Sequence, residues 1–320
     1  MNCKPILLMA GEPNSIFLEI FFKAIKKKNF KKPLILIASL NVVKLQMKKL
    51  NINKKIKLID YKKFENYDLN NDQINLIDVN YNTAKAFEKI STKSNSYINR
   101  CFEISFDLLK KGKIKRFING PISKKTFLNK NYLGITEFLS KKFKIKKSAM
   151  LIFNKNLSVC PLTTHVPLKS VSKQINKKII AEKIKLIDNF YRKFLKKKPK
   201  IAVVGLNPHC ESVDIFNEDE KIIKPAVIKL KKQFYVSGPF PADTIFLKNN
   251  RKKYDVILGM YHDQVLGPLK TIYEYDAINI TIGLPFIRIS PDHGPNEKML
   301  GKNISNPLSL IKAITFLEKH

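Results

Sequence analysis

Short apolar runs alternate with longer amphipathic stretches along this chain, a pattern that predicts an α/β protein with a largely parallel sheet. Turn residues bound the apolar runs, as they do for strands buried on both faces. The runs predict strands at 5–10, 33–38, 55–58, 116–119, 150–153, 200–205, 255–260 and 278–283. The amphipathic stretches predict helices at 16–27, 97–111, 176–195, 218–232 and 307–318.

Two breaks in the pattern suggest how the chain is divided. Its 320 residues exceed the length of about 250–300 at which single cores stop growing. Gly-Pro turns follow apolar runs at 120–121 and 267–268, so we expect one lobe from 1–121 with 268–320 and a middle lobe at 122–267. The segment 53–93 is rich in Asn, Asp and Lys, which predicts mostly irregular surface connections.

The charge of the chain is strongly positive, with 60 Lys and Arg against 26 Asp and Glu and a net charge of +34. Such a balance is typical of nucleic-acid or anionic-membrane binding. Here the lysines are spread over almost every segment, and no zinc-finger spacing, RNA-binding aromatic motif or basic-region helix accompanies them. We therefore expect a solvated basic exterior that attracts small anions, without a specific nucleic-acid partner. A basic nucleic-acid-binding protein on a decayed enzyme scaffold is the alternative from another functional class.

The cysteines and the N-terminal run bear on the compartment. Four cysteines lie far apart without a Cys-x-x-Cys pair, so neither a disulfide framework nor a thiolate zinc site is indicated. The apolar run at 5–10 is too short for a secretory signal, and no stretch approaches the length of a membrane span. We expect a cytoplasmic protein without a membrane partner.

Three of the five histidines follow predicted strands or apolar runs in polar frames. They are His165 in Thr-Thr-His, His209 in Asn-Pro-His and His262 in Tyr-His-Asp-Gln. Ligands of open α/β sheets bind at the carboxyl ends of strands. Three imidazoles with an open position make a catalytic metal site. Any single histidine is more often a loop or core residue satisfied by a hydrogen bond, so the hypothesis depends on the three together.

Two aspartates lie in or beside these frames. Asp243 and Asp263 are candidates for orienting a ligand or carrying a proton. A helix cap for Asp243 and a turn hydrogen bond for Asp263 are equally good interpretations.

A second group of residues has the chemistry of an anion site. Lys270, Asn279 and Arg288 flank a strand-like run, and such donors hold phosphate or carboxylate oxygens. The polar loop at 290–296 that follows could contact a cofactor or be a plain surface loop. The chain contains neither Gly-x-Gly-x-x-Gly nor a P-loop sequence, so any dinucleotide must bind by another architecture.

Seven motifs together resemble a known enzyme family. They read GPISK at 120–124, GITEFL at 134–139, TTHVPL at 163–168, GLNPH at 205–209, GPFPADTIF at 238–246, YHDQ at 261–264 and GLPFIRISPDHG at 283–294. In this order they are similar to the motifs of the 4-hydroxythreonine-4-phosphate dehydrogenase (PdxA) family, from about residue 5 to the C-terminus.

The resemblance implies a fold, a reaction and partners. The fold is two-lobed α/β, like isocitrate and isopropylmalate dehydrogenases, with an interdomain cleft, and it binds a dinucleotide without the Rossmann fingerprint. The reaction is the oxidation and decarboxylation of 4-phosphooxy-L-threonine to 3-amino-2-oxopropyl phosphate in pyridoxal phosphate biosynthesis. The expected cofactors are NAD or NADP and a divalent metal (Zn, Co, Mn or Mg). The expected assembly is a homodimer with the active site near the subunit interface.

The resemblance also assigns roles by motif position. It makes the three histidines the metal ligands, and we assign proton transfer to Asp243 and Asp263. Substrate contacts fall on Thr136, Lys270, Asn279 and Arg288. Cofactor contacts fall on Asp292, His293, Gly294 and Asn296.

Several positions depart from the family pattern. Ile135 stands where the family usually has histidine, residues 15–19 lack the usual glycines, and Pro295-Asn296 replaces a common Thr-Ala. These changes lie where substrate and cofactor contacts are expected. They favour, as the runner-up, the same chemistry on threonate or erythronate 4-phosphate.

Overall fold

The fold is that of a computed structural model, in which residues 4–128, 132, 134–291 and 294–320 are described. Its strands are β1 (Ile6–Met9), β2 (Leu34–Ala38), β3 (Ile56–Leu58), β4 (Ile74–Asp78), β5 (Arg116–Asn119), β6 (Ala149–Phe153), β7 (Ser158–Thr163), β8 (Ile201–Val204), β9 (Val236–Phe240), β10 (Val256–Tyr261), β11 (Ile278–Ile282) and β12 (Ile287–Ser290). Its α-helices are α1 (Phe17–Lys27), α2 (Leu40–Lys49), α3 (Asn95–Lys110), α4 (Ile135–Lys142), α5 (Val171–Gln174), α6 (Lys177–Phe190), α7 (Lys224–Lys231), α8 (Ala242–Ile245), α9 (Lys248–Arg251), α10 (His262–Tyr273) and α11 (Leu308–Lys319).

The chain divides into two compact units, the first formed by Met1–Tyr132 with Pro285–His320. In this unit the strand order is β3-β4-β2-β1-β5-β12, and the paired strands run parallel. All four residues of β1 are fully buried, which explains why the strand is a continuous apolar run. Helix α1 turns an apolar face inward and carries Lys26 and Lys27 in its last turn, where they suit the helix dipole.

The second unit is Leu133–Leu284, with strand order β11-β6-β7-β10-β8-β9. Strands β7, β10, β8 and β9 run parallel, and β6 is antiparallel to β7 and β11. Strand β10 pairs with both β7 and β8, so the carboxyl ends of these three strands lie side by side. Buried apolar side chains of this sheet and of α10 pack into one core, which fixes the positions of the three strand ends. These side chains are Ile152, Val159, Ala202, Val204, Ile257 and Val265.

The predicted fold class is confirmed, with corrections to individual elements. Segment 53–93 contains β4, which pairs with β2 and β3, so the expectation of irregular connections was wrong there. Gly267-Pro268 lies inside α10, and the compact units divide after residues 132 and 284. Helices α2, α4 and α10 and strands β7, β9 and β12 were not predicted. Among the described residues, no helix is both long and apolar enough to cross a membrane.

Candidate active site

The three predicted metal ligands all follow the neighbouring strands at the centre of the second unit. His165 comes two residues after β7, His262 directly follows β10, and His209 lies in the loop after β8. Thr163 and Tyr261 are partners in the β7–β10 register, so the two strands end at the same level. This alignment places His165 and His262 side by side.

His165 and His262 form a pair in the structure. Their ring centroids are 5.7 Å apart, with the planes tilted by 38°, and both residues are half-buried. His262 Nδ1 lies 2.7 Å from Asp263 Oδ1. Because a carboxylate only accepts hydrogen bonds, the proton is on Nδ1 and the Nε2 lone pair is available to a metal. Metal–imidazole distances of about 2.0–2.1 Å allow two rings at this separation to share one ion, so the pair fits a metal.

His209 differs from this pair. It is exposed and lies in a short turn, Pro208–Cys210. Over residues 4–128, 132, 134–291 and 294–320, the structure brings together no group of three His, Cys, Asp or Glu side chains that could hold a metal. Burial, followed by the charge of Asp219, raises the pKa of the neighbouring Cys210 thiol to about 11, so this cysteine is protonated at neutral pH. The structure thus brings two of the predicted ligands together and leaves the third in its loop.

Two of the three histidines have left-handed backbone conformations. The φ angles are +54° at His165 and +57° at His209. Such angles are uncommon outside glycine, although histidine adopts them more often than most residues. They cost about 1–3 kcal/mol each and are found most often at functional sites.

The side chains of Thr163 and Gln264 hold the three strand ends in register. Thr163 Oγ1 donates to the Met260 carbonyl of β10 at 2.8 Å. Gln264 Oε1 accepts from Met260 N at 2.7 Å, and its Nε2 donates to the Gly205 carbonyl after β8 at 2.8 Å. Gln264 therefore links the chain just before His262 to the chain just before His209. Sequence reasoning missed this role, although Gln264 belongs to the YHDQ motif.

A buried carboxylate fixes the start of the loop that carries His209. Asp219 is fully buried and accepts hydrogen bonds from Leu206 N at 2.8 Å and from both Asn207 N and Asn207 Nδ2 at 3.0 Å. Three donors on one carboxylate hold the loop close to the end of β8. Asp219 is a second positioning residue that the sequence analysis did not select.

Two of the predicted substrate residues lie near one face of β11. The hydroxyl oxygens of Thr136, in the first turn of α4, and of Thr281 on β11 are 3.3 Å apart in a buried pair. Asn279 is two residues before Thr281 and so shares its face of the strand. Asn279 Oδ1 is buried without a hydrogen-bond partner among the described residues. Lys270 lies on α10, half-buried, and burial lowers the pKa of its ammonium group.

The remaining predicted residues are divided between the two units. In the first unit, Arg288 of β12 is fully buried, and its Nε donates to Asn119 Oδ1 at 2.6 Å. Gly294 and Asn296 are exposed, whereas Asp292 and His293 lie outside the described residues. In the second unit, Asp243 is exposed in the first turn of α8, whose N-cap is Pro241, so the helix-cap interpretation of Asp243 was wrong.

Comparison with known proteins gives consistent matches over nearly the whole chain. The family model described as "Pyridoxal phosphate biosynthetic protein PdxA" matches residues 20–317. A 4-hydroxythreonine-4-phosphate dehydrogenase from Sulfurihydrogenibium sp. (strain YO3AOP1) is 37% identical, covering 97% of this chain and 96% of that one. A D-threonate 4-phosphate dehydrogenase from Salmonella typhimurium is 32% identical, covering 92% of each chain.

Solved structures show the same likeness. The 4-hydroxythreonine-4-phosphate dehydrogenase from Klebsiella pneumoniae superposes with a TM-score of 0.85 at 28% identity, covering 99% of this chain and 98% of that one. An isocitrate dehydrogenase from Methylococcus capsulatus superposes with a TM-score of 0.50 at 10% identity, covering 97% of this chain and 83% of that one. The second match concerns the fold alone, and it agrees with the fold expected from the motifs.

Proposed function

The chain belongs to the PdxA family, and from this premise we propose that it oxidises and decarboxylates 4-hydroxythreonine 4-phosphate (4-phosphooxy-L-threonine) to 3-amino-2-oxopropyl phosphate, using a divalent metal and NAD or NADP. The observation that carries the proposal is the His165–His262 pair at the ends of β7 and β10. The protein acts as a homodimer on a small phosphorylated substrate.

The metal site is built on this pair. Asp263 holds the proton of His262 on Nδ1, so Nε2 of His262 would be available to hold the ion, and His165 would provide the second imidazole. His209 is the third ligand, and it lies on an exposed loop. This histidine comes either from the same chain or from the second copy in the expected homodimer. When bound, a divalent ion supplies Lewis acidity at the substrate hydroxyl that is oxidised and at the ketone that results.

The neighbouring polar residues bind the anionic ends of the substrate. Thr136 and Asn279 offer a hydroxyl and an amide near one face of β11, and Lys270 adds a positive charge from α10. Partial burial of Lys270 strengthens its attraction to a phosphate, because the local dielectric constant is lower than in water. Asp263 acts by orienting His262, and Asp243 is the candidate for proton transfer.

The first unit contains an arginine and the residues that we expect to bind the cofactor. Arg288 is a second anion-binding position, pre-oriented by Asn119. The cofactor residues are Asp292, His293, Gly294 and Asn296, in the loop that follows β12. The nicotinamide supplies the hydride acceptor.

A second candidate substrate is D-threonate 4-phosphate or its erythronate isomer. The observation that favours it is Ile135, the first residue of α4, which places an apolar side chain beside Thr136. An amino group on the substrate finds no polar partner in the side chain of this residue. The relative from Salmonella typhimurium that is 32% identical is named for the threonate substrate.

Turnover assays separate these candidates. The purified protein is incubated with NAD or NADP and each of the three phosphorylated acids, and reduced cofactor is followed by absorbance, before and after chelation and with Zn, Co, Mn or Mg added back. We expect turnover of 4-hydroxythreonine 4-phosphate that disappears on chelation. Activity on threonate or erythronate 4-phosphate alone would replace the first candidate by the second. Salt-sensitive nucleic-acid binding without activity on any of the three would overturn both.

A further inference from the structure

Glu137 lies beside the metal-site histidine His165. It is the third residue of α4, and its Oε1 accepts a hydrogen bond from Thr164 Oγ1 at 3.1 Å. Its other oxygen, Oε2, is buried without a hydrogen-bond partner among the described residues. A buried carboxylate oxygen is strongly destabilising unless a donor reaches it, so a donor is expected here.

The space beside Gly134 identifies a candidate donor, the Nδ1 edge of His165. A Cβ added to Gly134 would lie 2.8 Å from Glu137 Oε2 and 2.9 Å from both Nδ1 and Cε1 of His165. The carboxylate and the Nδ1 edge of the imidazole therefore converge on one point. Gly134 has φ −168°, which any residue adopts, so the requirement for glycine is one of space.

We propose that Glu137 is a positioning residue, whose Oε2 accepts a hydrogen bond from His165 Nδ1–H and so presents Nε2 of His165 to the metal. The proposal rests on the metal site proposed above. An imidazole that binds a metal through one nitrogen usually donates its other N–H to a carboxylate or carbonyl, which fixes the tautomer and the ring orientation. Gly134 serves the same purpose by leaving room for the contact.

The same arrangement occurs at the second histidine of the pair, which supports this assignment. His262 Nδ1 meets Asp263 Oδ1 at 2.7 Å, so each ring of the pair has a carboxylate at its Nδ1 side. The two carboxylates differ in exposure. The Asp263 side chain is 90% exposed, whereas Glu137 is half-buried with one oxygen fully enclosed. A hydrogen bond at the buried carboxylate is less weakened by water, so Glu137 has the larger effect on its histidine.

The first test reads the tautomer without any metal. Nitrogen-15 NMR of histidine-labelled, metal-free protein distinguishes Nδ1–H from Nε2–H imidazole, and His165→Gln identifies the His165 signals. We expect His165 to be the Nδ1–H form in the unsubstituted protein. We expect a shift toward Nε2–H in Glu137→Gln. Glu182→Gln is the matched control, because Glu182 is a partly buried glutamate of the same unit paired with Lys147, and it should leave the signals unchanged.

The second test measures metal affinity by titration with Co²⁺. Loss of a carboxylate that orients a metal-binding histidine typically lowers affinity about 10–100-fold, and we expect this range for Glu137→Gln. Gly134→Ala should weaken binding in the same direction because the added methyl group separates Glu137 from His165. Glu182→Gln should bind Co²⁺ like the unsubstituted protein, and thermal denaturation of each variant reports whether it is folded.

The outcomes separate this proposal from the proposed function. If the unsubstituted protein binds Co²⁺ and His165→Ala does not, yet Glu137→Gln changes neither the affinity nor the tautomer, the positioning role is wrong and the metal site stands. If His165→Ala binds Co²⁺ as well as the unsubstituted protein, the metal site is wrong, and the role of Glu137 in presenting Nε2 is wrong with it.

Discussion

Two regions of the second unit carry the histidines of the proposed metal site, and they are built differently. At the ends of β7 and β10, His165 and His262 are half-buried and lie 5.7 Å apart, and Thr163 and Gln264 connect the strands beneath them. After β8, His209 is exposed, and the loop beyond it exposes large apolar side chains: Val213, Ile215 and Phe216. One part of the site is thus formed by strand register and the side chains that hold it, and the other depends on a loop whose start is held by Asp219.

The largest expected effect comes from removing the histidines one at a time. His165→Ala or His262→Ala should lower Co²⁺ affinity by more than the ~10–100-fold typical of residues that only orient a ligand. His209→Ala should abolish turnover but lower affinity less, because the closely spaced His165–His262 pair remains in place. Metal titration and turnover assays measure both effects. Equal losses of affinity for all three variants would contradict the difference between the two regions.

Gln264 links the two regions through its hydrogen bonds to Met260 and Gly205. Gln264→Leu removes the partners of Met260 N–H and Gly205 C=O, each at a cost of about 1–3 kcal/mol, so we expect the free energy of unfolding to fall by roughly 2–6 kcal/mol. Urea denaturation measures the loss, and Gln174→Leu, an exchange at the short helix α5, is the control. A loss below about 0.5 kcal/mol, the usual range for surface substitutions, would mean that Gln264 does not hold the strands.

A smaller effect is expected from the backbone at His209. Glycine relieves a left-handed conformation that costs other residues roughly 1–2 kcal/mol, although it loses more entropy on folding. We therefore expect His209→Gly to be more stable than His209→Ala by about 0.5–1 kcal/mol, with both inactive. Thermal and urea denaturation of the two variants give the difference. If alanine is the more stable, the turn does not hold this backbone angle in solution.

The smallest effect is expected at the tip of the loop. Val213 and Ile215 are fully exposed, so serine at both positions should change the free energy of unfolding of the monomer by less than about 0.5 kcal/mol. Sedimentation velocity on the same protein measures its oligomeric state. A larger loss of stability that depends on protein concentration would show that a second copy covers these side chains.

The strand-end histidines were predictable because apolar runs mark strands and polar frames mark their ends. Strand β7, which places His165 next to His262, was not predictable, since it contains Cys160 and Pro161 and does not read as a regular strand. The family itself was identified from its ordered motifs, and the family model confirms it.

The positioning residues Gln264 and Glu137 could not be found from local sequence patterns or from motifs. Gln264 matters because β10 lies between β7 and β8, a neighbour relation that no local pattern contains. Glu137 was part of a motif, but its role depends on the empty space at Gly134, which only the packing reveals. Helix α10 was missed because Gly267-Pro268 resembles a stop signal, yet the helix continues through Pro268.

Because β10 lies between β7 and β8, the parts of the site should differ in how readily they unfold locally. Backbone amides of Leu258 and Met260 lie in the buried middle of the unit, and their hydrogen exchange should require unfolding of the whole unit. Amides around 211–216, where most residues are exposed, should exchange orders of magnitude faster. If the proposed metal site is occupied, a chelator would then remove the ion through motion of this loop, and the emptied protein would reload without refolding.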